Sequence, residues 1–144
     1  MAYKHPSDEI AQYLINEGTV NNGEIFVDMH PDMSEVNADV ITIVRMVGGI
    51  PNPRWTRDDI NIVIQTMGSR KQDLVATRDL LWSVYNKLLG AYNIELNGYT
   101  YFRFISNQMP NFVTFLENGE PIYTSSLSFV REAQAAEGNR ETIS

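Results

Sequence analysis

The segment from Asp39 to Val47 alternates in the manner of a β-strand, and both of its faces are apolar. One face carries Val40, Val44 and Met46, and the other carries Ile41, Ile43 and Val47. A strand that is apolar on both faces has to be covered on both sides. The rest of the chain offers two helices, which are too few to cover both sides of a broad sheet. The sequence therefore predicts that a neighbouring copy of the same protein covers the second face.

The first half of the chain is typical of one helix followed by three strands. Ser7 is a suitable cap for the helix, and Gly18 is a suitable end. Alternating residues predict strands over 24–29, 39–47 and 60–65. Glycine and proline are frequent from Gly48 to Pro53, which predicts a loop between the second and third strands.

The second half of the chain is typical of one helix followed by four strands. Ser69 and Gln72 have the spacing of a capping box, and the helix that they begin ends at Gly90. Asn-Gly pairs at 97–98 and 118–119 are typical hairpin turns. The predicted strands are 94–96, 99–105, 112–116 and 122–130. The sequence thus predicts an α+β fold: a mostly antiparallel sheet packed against two helices, in the order helix, three strands, helix, four strands.

Length and charge limit the classes of function that are possible. A chain of 144 residues corresponds to a single domain, which we assign to residues 1–131, with a flexible C-terminal tail at 132–144. The formal net charge is -7 and the basic residues are scattered, so tight binding of nucleic acid is not expected. The chain has no cysteine, which excludes disulfides and thiolate sites. We also expect no secretory signal and no membrane span.

Few side chains suggest catalysis or metal binding. His5 and His30 are the only histidines, and Asp28 and Asp32 flank His30 at alternate positions. These three groups could face one metal ion, but hard carboxylates without a second histidine favour simple solvation. We therefore predict no enzyme activity, no catalytic residue, no cofactor and no metal site.

Three arginines lie among apolar residues, where an unpaired charge is costly. Arg78 is predicted to project from the apolar face of the second helix, and Arg45 and Arg103 lie in apolar strands. Pairing between subunits would satisfy all of them. The predicted subunit contact therefore consists of Ile41, Ile43, Val44, Arg45, Arg78 and Arg103.

Several short strings, in the predicted order of elements, resemble the tail-terminator, or tail-completion, proteins of long-tailed bacteriophages. These strings are Gly48-Gly49-Ile50-Pro51 after the long strand, Ile60 to Gln65 before the main helix, Pro110, Glu117-Asn118-Gly119, and Tyr123 to Phe129. The resemblance covers roughly Ser7 to Arg131. It departs from the family at Glu120-Pro121, where many members have a basic residue after the hairpin glycine.

The resemblance implies a structural protein of the virion. Such proteins form a ring, typically a hexamer, that caps the tail tube and offers a docking face to the head connector. The expected partners are thus further copies of this chain, the tail tube protein and the head connector or head-completion protein. DNA would pass through the hole without specific binding. The expected location is the tail or neck of the virion, after assembly in the host cytoplasm.

Three other interpretations remain open at this stage. The chain could be a head-completion or connector protein of the neck, which is also a small ring component. It could be a small ligand-binding domain or an enzyme with a pair of acids, which a metal-binding pocket of Asp28, His30 and Asp32 would favour. It could also be a monomer in which its own residues 48–57, with Trp55, cover the apolar strand.

Overall fold

The computed structural model describes residues 5–29, 31, 36–51 and 57–133. Two α-helices and six β-strands make up the described chain. In chain order they are α1 (Pro6–Asn16), β1 (Ile25–Val27), β2 (Val40–Pro51), β3 (Arg57–Gly68), α2 (Leu74–Leu89), β4 (Tyr92–Leu96), β5 (Tyr99–Phe115) and β6 (Pro121–Ala133). A short 3-10 turn, Lys71–Asp73, leads directly into α2.

All six strands belong to one sheet with the order β1-β2-β3-β6-β5-β4. β1 runs parallel to β2, and the other neighbouring strands are antiparallel. The α+β class is therefore confirmed. The sheet is mixed and not purely antiparallel, because β1 and β2 lie side by side and run in the same direction.

The strand count after α2 differs from the prediction, since the described chain up to residue 133 has three strands there and not four. The segments predicted at 99–105 and 112–116 are parts of the single strand β5, which continues through Pro110. Proline lacks a backbone N–H, but it is tolerated at the edge of a sheet or at a bulge. Pro110 lies at a bulge, because the pairing of β5 with β6 shifts between Gln108 and Asn111. It also lies at an edge, because the pairing of β4 with the other side of β5 stops at Arg103. The prediction of two separate strands, 99–105 and 112–116, was therefore wrong.

The loop predicted after the long strand was also placed wrongly. β2 continues through Gly48 to Pro51, and its pairing with β3 extends to Asp58. The register shifts between Met46 and Gly48, and Gly48 has φ +114°. Glycine adopts such a φ without strain, so here it forms a bulge inside the strand and does not end it.

One face of the sheet carries both helices and the larger part of the core. Ile10 and Leu14 of α1 join Leu81, Val84 and Leu88 of α2 in one buried cluster. The sheet contributes buried side chains from four strands to this cluster: Val44, Ile60, Ile62, Ile64, Tyr99, Tyr101, Phe104, Leu127 and Phe129. The apolar stripe predicted for the second helix thus faces the sheet.

On the second face of β2, Ile41 and Ile43 are covered within the chain itself, contrary to the prediction, whereas Val47 farther along the strand is exposed. Ile41 and Ile43 are 0% and 1% exposed. They form a second cluster with Met67 and Ile122, against which Phe26, Val36 and Ala38 pack. Farther along this face the groups are polar, as in the hydrogen-bonded series Asn107, Ser128 and Asn61. A sheet face of that kind can meet water, so no second copy is needed to cover Ile41 and Ile43.

Both helices begin differently from the prediction. α1 begins at Pro6, where the imidazole Nδ1 of His5 accepts a hydrogen bond from the Ser7 backbone N–H at 3.2 Å, so Ser7 is not the cap. Before α2, the carboxylate of Asp73 accepts hydrogen bonds from Ser69 Oγ (3.1 Å) and from the Arg70 N–H (3.0 Å). Asp73 therefore supplies the side-chain acceptor of the capping box, which the sequence prediction placed at Gln72.

The predicted division at residue 131 falls inside a strand, because β6 extends to Ala133. The remainder of the predicted C-terminal tail, residues 134–144, lies outside the described residues. Within the described chain, neither helix is long and apolar enough to cross a membrane.

Candidate subunit-contact surface

Strand β5 extends far beyond β4, its neighbour at the end of the sheet. The pairing of β4 with β5 stops at Tyr92 and Arg103. From Phe104 to Phe115, no strand in the described part of the chain pairs with the outer side of β5. This long segment is therefore an open sheet edge.

Large apolar side chains are concentrated on this open edge. Six of them are between 37% and 60% exposed, namely Ile105, Met109, Phe112, Val113, Phe115 and Leu116. We call this set the β5 edge surface. The chain has no charged residue between Arg103 and Glu117. Native proteins protect exposed strand edges, often with charges, so an uncharged apolar edge of this length is a candidate contact surface.

The far end of the β5 edge surface is supported by contacts within the chain. The ring of Phe112 lies 5.0 Å from that of Phe115 and 5.5 Å from that of Tyr123, between centroids. The Lys71 ammonium lies 5.6 Å from the centroid of the Phe115 ring. In the following turn Gly119 has φ +89°, and its N–H donates to the Leu116 carbonyl at 2.8 Å. The exposed side chains are thus held on an ordered hairpin.

The backbone of β5 is poorly suited to pairing with a further strand. Its register against β6 shifts four times, between 101 and 104, 106 and 108, 108 and 111, and 112 and 114. Pro110 also removes one donor from the edge. Bulges and proline interrupt the regular ladder that an added strand would need. The β5 edge surface can therefore bind a partner through its side chains, without a continuous set of backbone hydrogen bonds.

The apolar residues of the predicted subunit contact lie inside the chain. Val44 is buried in the cluster beneath the helices, and Ile41 and Ile43 are buried in the cluster on the opposite face. They belong to one strand, but the structure does not present them as a surface. Their contact with another copy remains a prediction without a test.

The three arginines of the predicted contact lie apart from one another. Arg78 is exposed on α2 and forms an ion pair with Asp79 at 3.0 Å, so the prediction that it enters the apolar face was wrong. Arg45 is half-buried, and one of its terminal nitrogens lies 3.4 Å from Gln65 Oε1. Arg103 is exposed beside a cleft lined by Leu89, Tyr92, Asn93 and Phe102. No common site unites them.

The buried ion pair that we sought around these arginines is formed elsewhere, by Arg131 and Glu9. Their side chains are 0% and 1% exposed, and Arg131 Nη1 lies 2.9 Å from Glu9 Oε1. The Tyr101 hydroxyl donates to the same oxygen, and the Arg131 guanidinium lies 4.0 Å from the centroid of the Tyr99 ring. Burial, followed by the charge of Glu9, raises the pKa of Tyr101 far above its ordinary value.

The sequence gives a weak signal of this pair. Arg131 continues the alternation of Leu127 and Phe129, and Glu9 precedes Ile10 on the inward side of α1. Charged residues at positions that periodicity assigns to the core are candidates for buried pairing. The identity of the partner could not be found in this way, because the two residues are separated by almost the whole chain.

The possible metal site cannot be assembled from the described residues. His30 and Asp32 lie outside them. Asp28 accepts a hydrogen bond from the Met46 N–H at 3.3 Å and lies 3.9 Å from His5 Nε2. Nowhere in the described ranges do three or more His, Asp or Glu side chains gather in a way that could hold a metal ion.

Comparison with known proteins gives a likeness of fold. No protein-family model and no curated protein sequence matches the chain. Among solved structures, the chain is similar to one from a structure described as the virion of a native gene transfer agent particle. The similarity covers 89% of this chain and 95% of the other, with a TM-score of 0.61 and 11% sequence identity. The two chains thus share a fold over nearly their whole lengths.

Proposed function

We propose that this protein is a structural component of a phage-like virion that forms a ring on the end of the tail tube and joins the tube to the head connector. The observation that carries the proposal is the likeness of fold to a chain of the gene transfer agent virion, which extends over 89% of this chain. The likeness therefore extends over nearly the whole domain and is not limited to one common motif.

Two further observations support a structural role. The chain presents a long apolar edge on β5, as a protein that works by assembly would be expected to do. The resemblance of Gly48 to Pro51 and of Tyr123 to Phe129 to tail-terminator proteins comes from the sequence and is independent of the fold comparison. Together they favour a tail-terminator ring.

The charge of the chain suits a ring through which DNA passes. A net charge of -7 gives no general attraction for phosphates. Residues on the outer sheet face such as Asn61, Asn107 and Ser128 are uncharged and satisfy one another by hydrogen bonds of 2.5 Å. DNA would therefore pass such a protein without specific binding.

A neck connector on the head side is the second candidate. The solved structure is described as the virion of a gene transfer agent particle, which fits a component on either side of the head–tail junction. A head-completion ring would meet the filled head, whereas a tail terminator would meet the tube.

Binding to isolated particle parts tests the proposal. Tail tubes assembled without this chain, and DNA-filled heads without tails, would each be incubated with the purified protein and imaged by negative stain. We expect a ring at one end of each tube and restored joining of tubes to heads. Binding to heads alone would identify the neck connector, and binding to neither would contradict a role at the head–tail junction. Val75→Asp, at an exposed position of α2 that is not part of the β5 edge surface, is the control and should bind like the unchanged protein.

A further inference from the structure

Three neighbouring strands carry long runs of residues without a formal charge. These runs are residues 60–69, 104–116 and 121–130, which fall on β3, β5 and β6. The three strands lie side by side in the order β3-β6-β5. The chain as a whole has 18 acidic residues and a net charge of -7, so an uncharged area in the middle of its sheet is a distinct feature of the molecule.

The side of this area that faces away from the helices presents amides and hydroxyls. Met67 and Ile122 are paired across β3 and β6 and belong to the second cluster, so alternate residues along both strands share its face. All the polar residues on that face are half-buried or exposed, and both described helices pack on the opposite face. We call the following set the neutral sheet face: Asn61, Gln65, Asn107, Thr124, Ser126 and Ser128.

Several polar groups of the neutral sheet face satisfy one another. Asn107 Nδ2 donates to Ser128 Oγ, and Ser128 Oγ donates to Asn61 Oδ1, both at 2.5 Å. At the margin of the face, half-buried Arg45 of β2 has one terminal nitrogen 3.4 Å from Gln65 Oε1. The face therefore carries neither a row of bases that would hold phosphates nor acids that would repel them.

We propose that the neutral sheet face lines the hole of the ring and is the surface past which duplex DNA moves. This inference rests on the proposed function and adds which face of the domain points inward. The composition of the face argues against a second copy as its occupant, because the cores of protein–protein interfaces are enriched in aromatic residues, methionine and arginine and depleted in serine. Apolar side chains suited to that purpose lie on the β5 edge surface instead.

The face of the domain that carries the helices is less suited to DNA. It has exposed charges of both signs, among them Asp8 of α1 and the pair Arg78 and Asp79 of α2. Such charges would hold phosphates at some points and repel them at others. In a ring whose subunits meet through sheet edges such as that of β5, the two faces of each sheet point toward the axis and away from it. Of these two faces, the neutral one is therefore the inward one.

Thiol accessibility in the assembled ring tests which face points inward. The chain has no cysteine, so Ser126→Cys in the neutral sheet face and Gln12→Cys, at an exposed position of α1, each give a single reactive group. Rings of each variant on tail tubes would be treated with N-ethylmaleimide, or with a maleimide on a short linker to a globular protein wider than the hole. We expect Ser126→Cys to react with the small reagent but to lose its reaction with the large one on assembly. Gln12→Cys should react with both.

Photochemical cross-linking tests whether DNA is the molecule that passes this face. An aryl azide attached to Ser126→Cys would be irradiated in particles whose tubes are joined to filled heads, before and during the release of DNA by mild heating. We expect protein linked to DNA for Ser126→Cys and only the background level for Gln12→Cys. Asn61→Cys, on neighbouring β3, should behave like Ser126→Cys and supplies a second position if Ser126→Cys does not fold.

Three results would overturn the inference and leave the proposed function standing. Reaction of Ser126→Cys with the large reagent in assembled rings would place the neutral sheet face on the outside. Loss of its reaction with both reagents would place the face in a subunit contact, and absence of linkage to DNA at both Ser126→Cys and Asn61→Cys would exclude DNA as the passing molecule. A protein that forms rings on neither tubes nor heads would overturn the proposed function, and the inference with it.

Discussion

Glu9 and Arg131 meet in a place that solvent does not reach, with Arg131 Nη1 2.9 Å from Glu9 Oε1. The pair joins the first helix to the last strand, across a sequence separation of 122 residues. Tyr101 donates to the same carboxylate oxygen, so β5 is included in the network. A buried ion pair adds little to the stability of a fold compared with a pair of apolar residues of similar size. Removing only one partner, however, leaves the other charge buried without compensation.

Removing the cation alone should destabilise the fold strongly. Arg131→Met leaves the Glu9 carboxylate buried, and we expect a loss of about 3–5 kcal/mol in the free energy of unfolding. Urea denaturation measures this loss. Arg78→Met is the matched control, because Arg78 is exposed and paired only locally with Asp79, and it should change stability by less than about 0.5 kcal/mol.

The double variant Glu9→Leu with Arg131→Met distinguishes the buried charge from lost packing. Removing both charges should restore much of the stability lost in Arg131→Met, because no uncompensated charge remains. Equal stability of Arg131→Met and Arg78→Met would show that Glu9 and Arg131 are not coupled in the folded protein.

Tyr101 should stay protonated for as long as the protein is folded. Burial and the adjacent Glu9 carboxylate raise its pKa above the ordinary value of 10.0, so its contribution to stability is present below that value and is lost as the pH rises beyond it. Ultraviolet titration of the phenolate signal should therefore give the same folded-state change for the unchanged protein and for Tyr101→Phe. Only the rise in phenolate absorbance that accompanies alkaline unfolding should be smaller in Tyr101→Phe. A difference in phenolate absorbance between the two proteins before unfolding would contradict this prediction.

Asp73 should stabilise the start of α2 in a pH-dependent way. Burial alone would raise its pKa, but the hydrogen bonds from Arg70 and Ser69 and the charge of Arg70 hold the pKa below the ordinary value of 3.8. A lowered pKa means that the stabilisation is present above the unfolded value and is lost as the pH falls through the folded one. Asp73→Ala should cost about 1 kcal/mol at neutral pH, as for other helix caps.

The difference between Asp73→Ala and the unchanged protein should then shrink below about pH 4, where the unfolded-state carboxyl begins to take up protons. Asp79→Ala is the control, because Asp79 is exposed on the same helix and forms an ion pair with the adjacent Arg78. A pH-independent difference for Asp73→Ala would mean that its charge has no part in the cap.

Gly68 is required by packing and not by its backbone conformation. A Cβ atom there would lie 2.6 Å from Thr77 Oγ1, 3.0 Å from Asp73 Cβ and 3.0 Å from Pro121 Cγ. Gly68→Ala should force β3, α2 and β6 apart and cost about 1–3 kcal/mol, which is typical of an overpacked site. Gly90→Ala is the control, since its nearest atom is the Asn86 carbonyl oxygen at 3.4 Å. Equal effects of the two variants on urea denaturation would refute the packing explanation.

Charged substitutions in β2 test whether its apolar residues are buried within the chain, as in the structure, or against a second copy, as the sequence predicts. If a neighbouring copy covered one face of β2, as the sequence predicts, one of the variants Ile43→Asp and Val44→Asp would disturb assembly and leave the monomer folded. Because both residues are buried, we now expect either variant to lose about 4 kcal/mol or more through an unpaired buried carboxylate. Val47→Asp in the same strand is exposed and should stay folded, as circular dichroism and urea denaturation would show. A stable Ile43→Asp monomer would contradict the second cluster.

The positions of the elements follow from local patterns in the sequence. Alternation identified β2 and β3, and helical periodicity identified the face of α2 that carries Leu81 and Leu88. The pair Asn97-Gly98 forms a tight hairpin because both residues adopt positive φ, of 53° and 84°. Each of these signals depends on residues close together in the chain, and so the sequence alone can reveal them.

The candidate surface depends on relationships that no local pattern contains. Whether an apolar residue such as Ile43 or Val113 is covered depends on which strands lie beside it, and the strand order is a property of the whole sheet. The pairing of Glu9 with Arg131 likewise requires α1 and β6 to meet. Sequence by itself therefore determined the approximate positions of most elements, the α+β class and the acidic, cysteine-free character of the protein. Only the tertiary structure decided that Ile41, Ile43 and Val44 are covered internally and that the open edge of β5 is exposed, because burial results from contacts between distant segments.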